Sequence, residues 1–111
     1  MIVHSRHEED AKKIAGEMHG GYFTADVANR EQVAAMFDHI RQQHGRLNIL
    51  VNSVAHSTKG DVLDVSPDEW NQIMTINLTG YFLCIQHAGN MMRDQGSGAI
   101  INISAGSGEM L

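Results

Sequence analysis

Short apolar runs alternate along this chain with longer stretches in which apolar residues return every three or four positions. The runs are Met1–Ser5, Tyr22–Ala25, Leu47–Val51 and Ala99–Ile103. Each is too brief for a helix, and their aliphatic and aromatic side chains suit a pleated sheet. Between the first two, Glu8, Glu9 and Asp10 place negative charge where a helix dipole favours it, on the first turn of a helix to about Met18. Gly20-Gly21 is expected to end that helix. Asn29 with Gln32 three residues on reads as a capping box, and Val33, Met36, Phe37 and Ile40 follow as one buried stripe. Gly45 is the natural stop. Ser66-Pro67-Asp68-Glu69 is the clearest local signal: serine caps, proline takes the first helical position and Glu69 reaches back. Helical character then runs to about Arg93, roughly 27 residues or about 40 Å. That is long for so short a chain, so a break is expected near Asn77–Gly80, with Gly96-Ser97-Gly98 closing the segment.

Strands alternating with helices predict an α/β fold: right-handed βαβ units in a Rossmann-like, doubly wound parallel sheet. In such sheets ligands bind beyond the carboxyl ends of the strands. The residues after each strand are therefore the ones to examine for chemistry.

Composition narrows the function classes. With 8 Lys+Arg against 13 Asp+Glu and a net charge of -5, the 111 residues lack the basic excess of a nucleic-acid binder. One cysteine, Cys84, rules out an internal disulfide and fits a reducing compartment, so a cytoplasmic location is expected. No apolar run approaches the roughly 18 residues of a membrane span, and the N-terminus does not read as a secretory signal. Among the seven histidines, His4/His7 and His39/His44 lack the four-residue spacing that puts two imidazoles on one helix face, so no metal is expected. Gly106-Ser107-Gly108 has Leu111 where a third glycine would complete a phosphate loop.

Three stretches carry a resemblance: Arg46-Leu47-Asn48-Ile49-Leu50-Val51-Asn52, Met74-Thr75-Ile76-Asn77-Leu78-Thr79-Gly80 and Gly98-Ala99-Ile100-Ile101-Asn102-Ile103-Ser104. Together they resemble the middle of a short-chain dehydrogenase/reductase, a one-domain nicotinamide-dependent oxidoreductase. The resemblance implies hydride transfer to or from a carbonyl, hydroxyl or activated double bond of a small-molecule substrate. Residues 1–111 then form one partial domain, lacking the first β–α unit and the C-terminal elements. Arg6 falls about where the family chooses its cofactor. An arginine there offers a planar cation to a 2′-phosphate and points to NADP, with NAD second; the plain alternative is a solvated surface arginine. Asp26 and Val27 match a pair beside the adenine ring, unless Asp26 only starts the turn towards Asn29. Asn52, Ser53, Val54 and Ala55 stand where the family has Asn-Asn-Ala-Gly. Ala55 replaces the glycine whose missing side chain lets backbone approach a cofactor.

Asn77 matches the asparagine that interrupts the long helix and helps hold a proton-relay water. The family's catalytic serine falls at Ala105, which has no hydroxyl. Either Ser104 or Ser107 takes that role through a local shift, or the serine is lost. The family commonly oligomerises through its long helix, so a homo-oligomer formed by the segment carrying Trp70, Ile73, Phe82 and Ile85 is expected. A non-catalytic remnant acting as an oligomerisation or regulatory module is the alternative.

No Gly-rich turn precedes the first strand, and neither Tyr22 nor Tyr81 has a lysine four residues later. General acid–base catalysis supplies typically about 10²–10⁴-fold, and these residues hold no such pair. The purified 111-residue chain is therefore expected to show no dehydrogenase turnover. Robust reduction of carbonyl substrates with NADPH by this chain would refute that expectation.

Overall fold

The computed structural model describes residues 2–58 and 60–104. Strand β1 (Ile2–Ser5) leads into helix α1 (Glu8–Glu17), β2 (Gly21–Thr24), α2 (Arg30–His44) and β3 (Ile49–Asn52). A short 3-10 turn, Val62–Asp64, precedes α3 (Pro67–Met74). The π-helical turn Thr75–Thr79 joins α3 to α4 (Gly80–Gln95), and β4 (Ala99–Asn102) follows. The α/β class and the alternation expected from the sequence are both present.

Local chemistry explains most of the boundaries. Asn29 caps α2 by accepting from the Gln32 amide, and Ser66 caps α3 by accepting from the Glu69 amide, with Pro67 in the first turn. Gly45 and Gly96 end α2 and α4 in the left-handed region, at φ 71° and 79°. The first helix ends differently from expectation. Its left-handed residue is His19, at φ 55°, while Gly20 donates to the Ala15 carbonyl at 2.8 Å and His19 to Gly16 at 3.4 Å. This is a Schellman closure with histidine where glycine is usual. Gly21 does not stop the helix but opens β2.

The third strand begins at Ile49 rather than Leu47. Both peptide groups of Leu47 are held instead by the Gln95 side chain, at 2.8 Å each. A partner 48 residues away is not visible to local pattern.

All pairing is parallel. β1 lies beside β2 with Ser5 opposite Thr24, and β3 beside β4 with Asn52 opposite Asn102. Among the described residues these are two separate two-stranded sheets. They face each other across a cavity of about 920 Å³, with Ile2 and His4 on one side and Ile49 to Asn52 on the other.

The core lies between α2 and α4. Val33, Met36, Phe37 and Ile40 of α2 meet Leu83, Cys84, Ala88, Met91 and Met92 of α4, with Ala25, Val27 and Ile76 joining from the loops and the π turn. Phe37 and Val33 are the largest fully buried side chains, and Phe37 also stacks on His87 with ring centroids 5.2 Å apart. Burial pushes the Cys84 thiol up to about 11, so it is a neutral filler at physiological pH.

Apolar surface is left open elsewhere. Trp70, Met74, Leu78 and Phe82 form an exposed row along the long helical segment, and Ile49, Val51 and Ile101 are exposed on the second sheet. Ile73 and Ile85, expected on the same pairing surface as Trp70 and Phe82, are half-buried instead.

Replacing Phe37 by alanine is expected to lower stability by about 3–5 kcal/mol, because it removes the central contact of the α2–α4 core. Chemical denaturation of the two proteins provides the check. A loss below about 1 kcal/mol would place the mechanical centre elsewhere.

Candidate functional site

The parallel register of β1 and β2 brings their carboxyl ends together, so the turns Arg6-His7 and Ala25-Asp26-Val27 become neighbours. The segment leaving β3 closes the third side. A cavity of about 210 Å³ forms there, lined by Arg6, Asp26, Val27, Val54 and Ala55 from the expected set. His4, Ser5, His7, Ala25, His56 and Ile76 complete its wall. Asn52 and Ser53 line the larger cavity between the sheets, which Val27 and Val54 also border. The expected cofactor residues are thus gathered around two adjoining cavities.

Each wall is held by identifiable bonds. Asp26 Oδ1 accepts from the Ala28 amide at 2.9 Å, which shapes the turn; the Asp26 amide donates to Gln32 Oε1 at 2.8 Å. Gln32 therefore reaches past its expected capping partner to brace the site. His4 donates from Nε2 to the Ala25 carbonyl at 2.6 Å; because a carbonyl only accepts, that nitrogen carries the hydrogen. Asn52 is buried and donates from Nδ2 to Asn102 Oδ1 at 2.9 Å, a rung across the β3–β4 pair.

Val27 is buried because α4 approaches it closely. A Cβ added at Gly80 would meet Val27 Cγ2 at 2.9 Å, so only glycine lets the helix come this near. The first turn of α4 thereby sets one wall of the cavity.

Asn77 sits in the π turn. Its Oδ1 accepts from the His56 amide at 2.7 Å and its Nδ2 donates to the His56 carbonyl at 2.6 Å. Both ends of the amide are taken up in clamping the segment after β3. The nearby Thr75 hydroxyl donates to the Asn71 carbonyl at 2.7 Å, a back-bond of the kind that bends helices. Single π turns of this sort are frequent at functional sites.

Ser104 is exposed just beyond β4. Neither cavity includes it. Ser107 and Ala105 lie outside the described residues. Tyr81 donates to the Ile103 carbonyl at 3.1 Å and ties α4 to the end of β4. Among the described residues no group of three or more His, Cys, Asp or Glu comes together as a metal set, and no helix is long and apolar enough to cross a membrane.

In a Rossmann-type sheet ligands bind beyond the carboxyl ends of the strands, which is where this cavity lies. The family described as enoyl-(acyl carrier protein) reductase matches residues 1–111. The chain belongs to the short-chain dehydrogenase/reductase family. An uncharacterized oxidoreductase of Escherichia coli (strain K12), YohF, is 38% identical over 104 residues, covering 88% of this chain and 41% of that protein. A short-chain dehydrogenase/reductase from Mycobacterium marinum superposes with a TM-score of 0.91 at 30% identity, over 97% of this chain and 46% of the other. A gluconate 5-dehydrogenase from Burkholderia cenocepacia, solved with NADP and tartrate, gives a TM-score of 0.84 at 30% identity, over 94% and 43%. The chain thus spans less than half the length of these relatives.

Sequence reasoning missed His4, His7, His56 and Ile76 as cavity residues. Their signal is positional: His4 and His7 flank the end of β1, His56 follows β3, and Ile76 directly precedes the expected helix break at Asn77–Gly80.

Asn77→Ala is expected to leave the His56 amide and carbonyl without their partners. Each such loss costs about 1–3 kcal/mol when the group stays buried. Amide exchange at His56 should accelerate at least tenfold, while the α2–α4 core amides slow or hold relative to it. An unchanged His56 amide would show that the clamp does not hold the segment.

Proposed function

We propose that this chain forms the adenosine side of the cofactor site in an NADP-dependent oxidoreductase that moves hydride to or from a carbonyl, a hydroxyl or an activated double bond. The observation that carries this reading is the smaller cavity, which gathers Arg6, Asp26, Val27, Val54 and Ala55 from the segments that follow β1, β2 and β3. Those residues fit an adenosine phosphate. Val27, Val54, Ala55 and Ile76 offer apolar walls for a flat base, and Asp26 retains its second oxygen to accept from an exocyclic amine. Arg6 carries a planar fork suited to a phosphate on the ribose. The hydride chemistry itself belongs to the nicotinamide of the nucleotide when bound.

The chain's own residues then bind and orient. Asn77 positions the His56 segment, and its place in the π turn suits the proton-relay role that the family gives it. Asn52 and Ser53, in the adjoining cavity, extend the same binding surface along the nucleotide. Ser104 and Ser107 are the hydroxyls nearest the family's serine position in sequence, and either would serve by donating to a substrate oxygen. NADP in the solved Burkholderia relative supports the choice of cofactor class. A cytoplasmic, homo-oligomeric enzyme acting on a small molecule completes the reading.

A second reading, a non-catalytic module that docks on another chain, is favoured by the exposed row Trp70, Met74, Leu78 and Phe82. Nucleotide titration separates the two. NADPH should bind more tightly than NADH, and Arg6→Ala should weaken NADPH by about ten- to a hundredfold, the worth of one charge-assisted contact. Equal affinity for the two, or a preference for NADH, defeats the cofactor assignment. Self-association without binding of either nucleotide favours the module.

A further inference from the structure

We infer, on the nucleotide reading above, that His4 is a positioning residue for adenine recognition. Its imidazole stands in for a missing backbone rung and holds the exit of β2, with Asp26 and Val27, at the wall of the smaller cavity.

Register explains why a side chain is needed here. β1 and β2 pair in parallel as far as Ser5 opposite Thr24, which brings Arg6 opposite Ala25. The Ala25 amide still follows the ladder, donating to the Ser5 carbonyl at 3.0 Å. The next bond of a parallel ladder would run from the His7 amide to the Ala25 carbonyl. That amide donates instead to Ser5 Oγ at 3.1 Å, so the ladder stops and the two chains diverge. Ala25 is fully buried, and a buried carbonyl requires a partner. His4 Nε2 supplies it at 2.6 Å.

The bond does more than close a strand end. The peptide between Ala25 and Asp26 is gripped at both ends by side chains, His4 at its carbonyl and Gln32 Oε1 at its amide, the latter at 2.8 Å. Its plane is thereby fixed, and with it the start of Asp26, whose carboxylate meets the exocyclic amine in the nucleotide reading. His4, Val27 and Val54 also border both cavities, so they form the partition between the smaller one and the space between the sheets. Val27 is placed by Gly80 from the α4 side. His4 ties the same turn to β1. Its Nε2 carries hydrogen in this neutral tautomer as in the protonated ring, so the tie does not depend on charge.

Discrimination between 5′-AMP, which has the exocyclic amine, and 5′-IMP, which has an oxo group in its place, reads the placement of Asp26. Calorimetric titration of the chain should give tighter binding of 5′-AMP. His4→Ala should weaken 5′-AMP about tenfold, the worth of one buried hydrogen bond, and leave 5′-IMP within twofold. His4→Gln, whose amide nitrogen donates from a similar reach, should keep most of the preference. His4→Phe, which fills the space without a donor, should lose it. Long-range ¹H–¹⁵N spectra of the parent above neutral pH should show hydrogen on His4 Nε2 and none on Nδ1. Equal weakening of both nucleotides by His4→Ala, no weakening of either, a preference retained by His4→Phe, or hydrogen on Nδ1 overturns the inference and leaves the nucleotide reading intact. Failure of the parent chain to bind either nucleotide overturns both.

Discussion

The packing of α2 on α4 is the contact on which the rest of this structure depends. Its four described strands form two parallel pairs with no hydrogen bonds running between the pairs. Among the described residues the two pairs are joined through the α2–α4 core, which includes Phe37, Ile40, Leu83 and Ala88. Such packing is close to incompressible. The elements packed around this core are therefore held at fixed positions by it. The fold of 97% of the chain superposes on a longer family member at a TM-score of 0.91.

The candidate site is built by transferring that rigidity outward. Gly80 brings the start of α4 against Val27, so the helix that forms the core also places a cavity wall. Asn77, one turn earlier, holds both backbone groups of His56 and so fixes the opposite wall. The π turn is what allows this geometry, because it changes the helix's phase between α3 and α4 while leaving the amide directed at the loop. On the β2 side, Gln32 and Asp26 brace the turn through backbone amides. A small cavity formed largely by loops is in this way held by a helix core.

Open apolar surface is the other consequence of this architecture. Parallel sheets are ordinarily covered on both faces, yet Ile49, Val51 and Ile101 remain exposed here. The row Trp70, Met74, Leu78 and Phe82 is a second uncovered surface. Relatives that are more than twice as long have additional chain with which to cover such areas.

The alternation of apolar runs and capped amphipathic stretches was enough to determine the α/β class, the element order and the parallel strands, because period and capping chemistry act locally. Asn29, Ser66, Gly45 and Gly96 did what their residue types predict, and the break in the long helix fell where its length demanded one. The residues after the strands were legible for the same reason: Arg6, Asp26, Val27, Val54 and Ala55 follow from knowing where strands end. What the tertiary structure decided depends on partners distant in sequence. Gln95 displaced the start of β3 by occupying Leu47, His19 took a left-handed position beside two available glycines, and Asn77 turned out to clamp His56. The separation of the strands into two pairs, and the division of the expected site between two cavities, likewise rest on the placement of residues far apart in sequence. Side-chain volume across the α2–α4 interface is a property of the assembled core, and no window of neighbouring residues contains it.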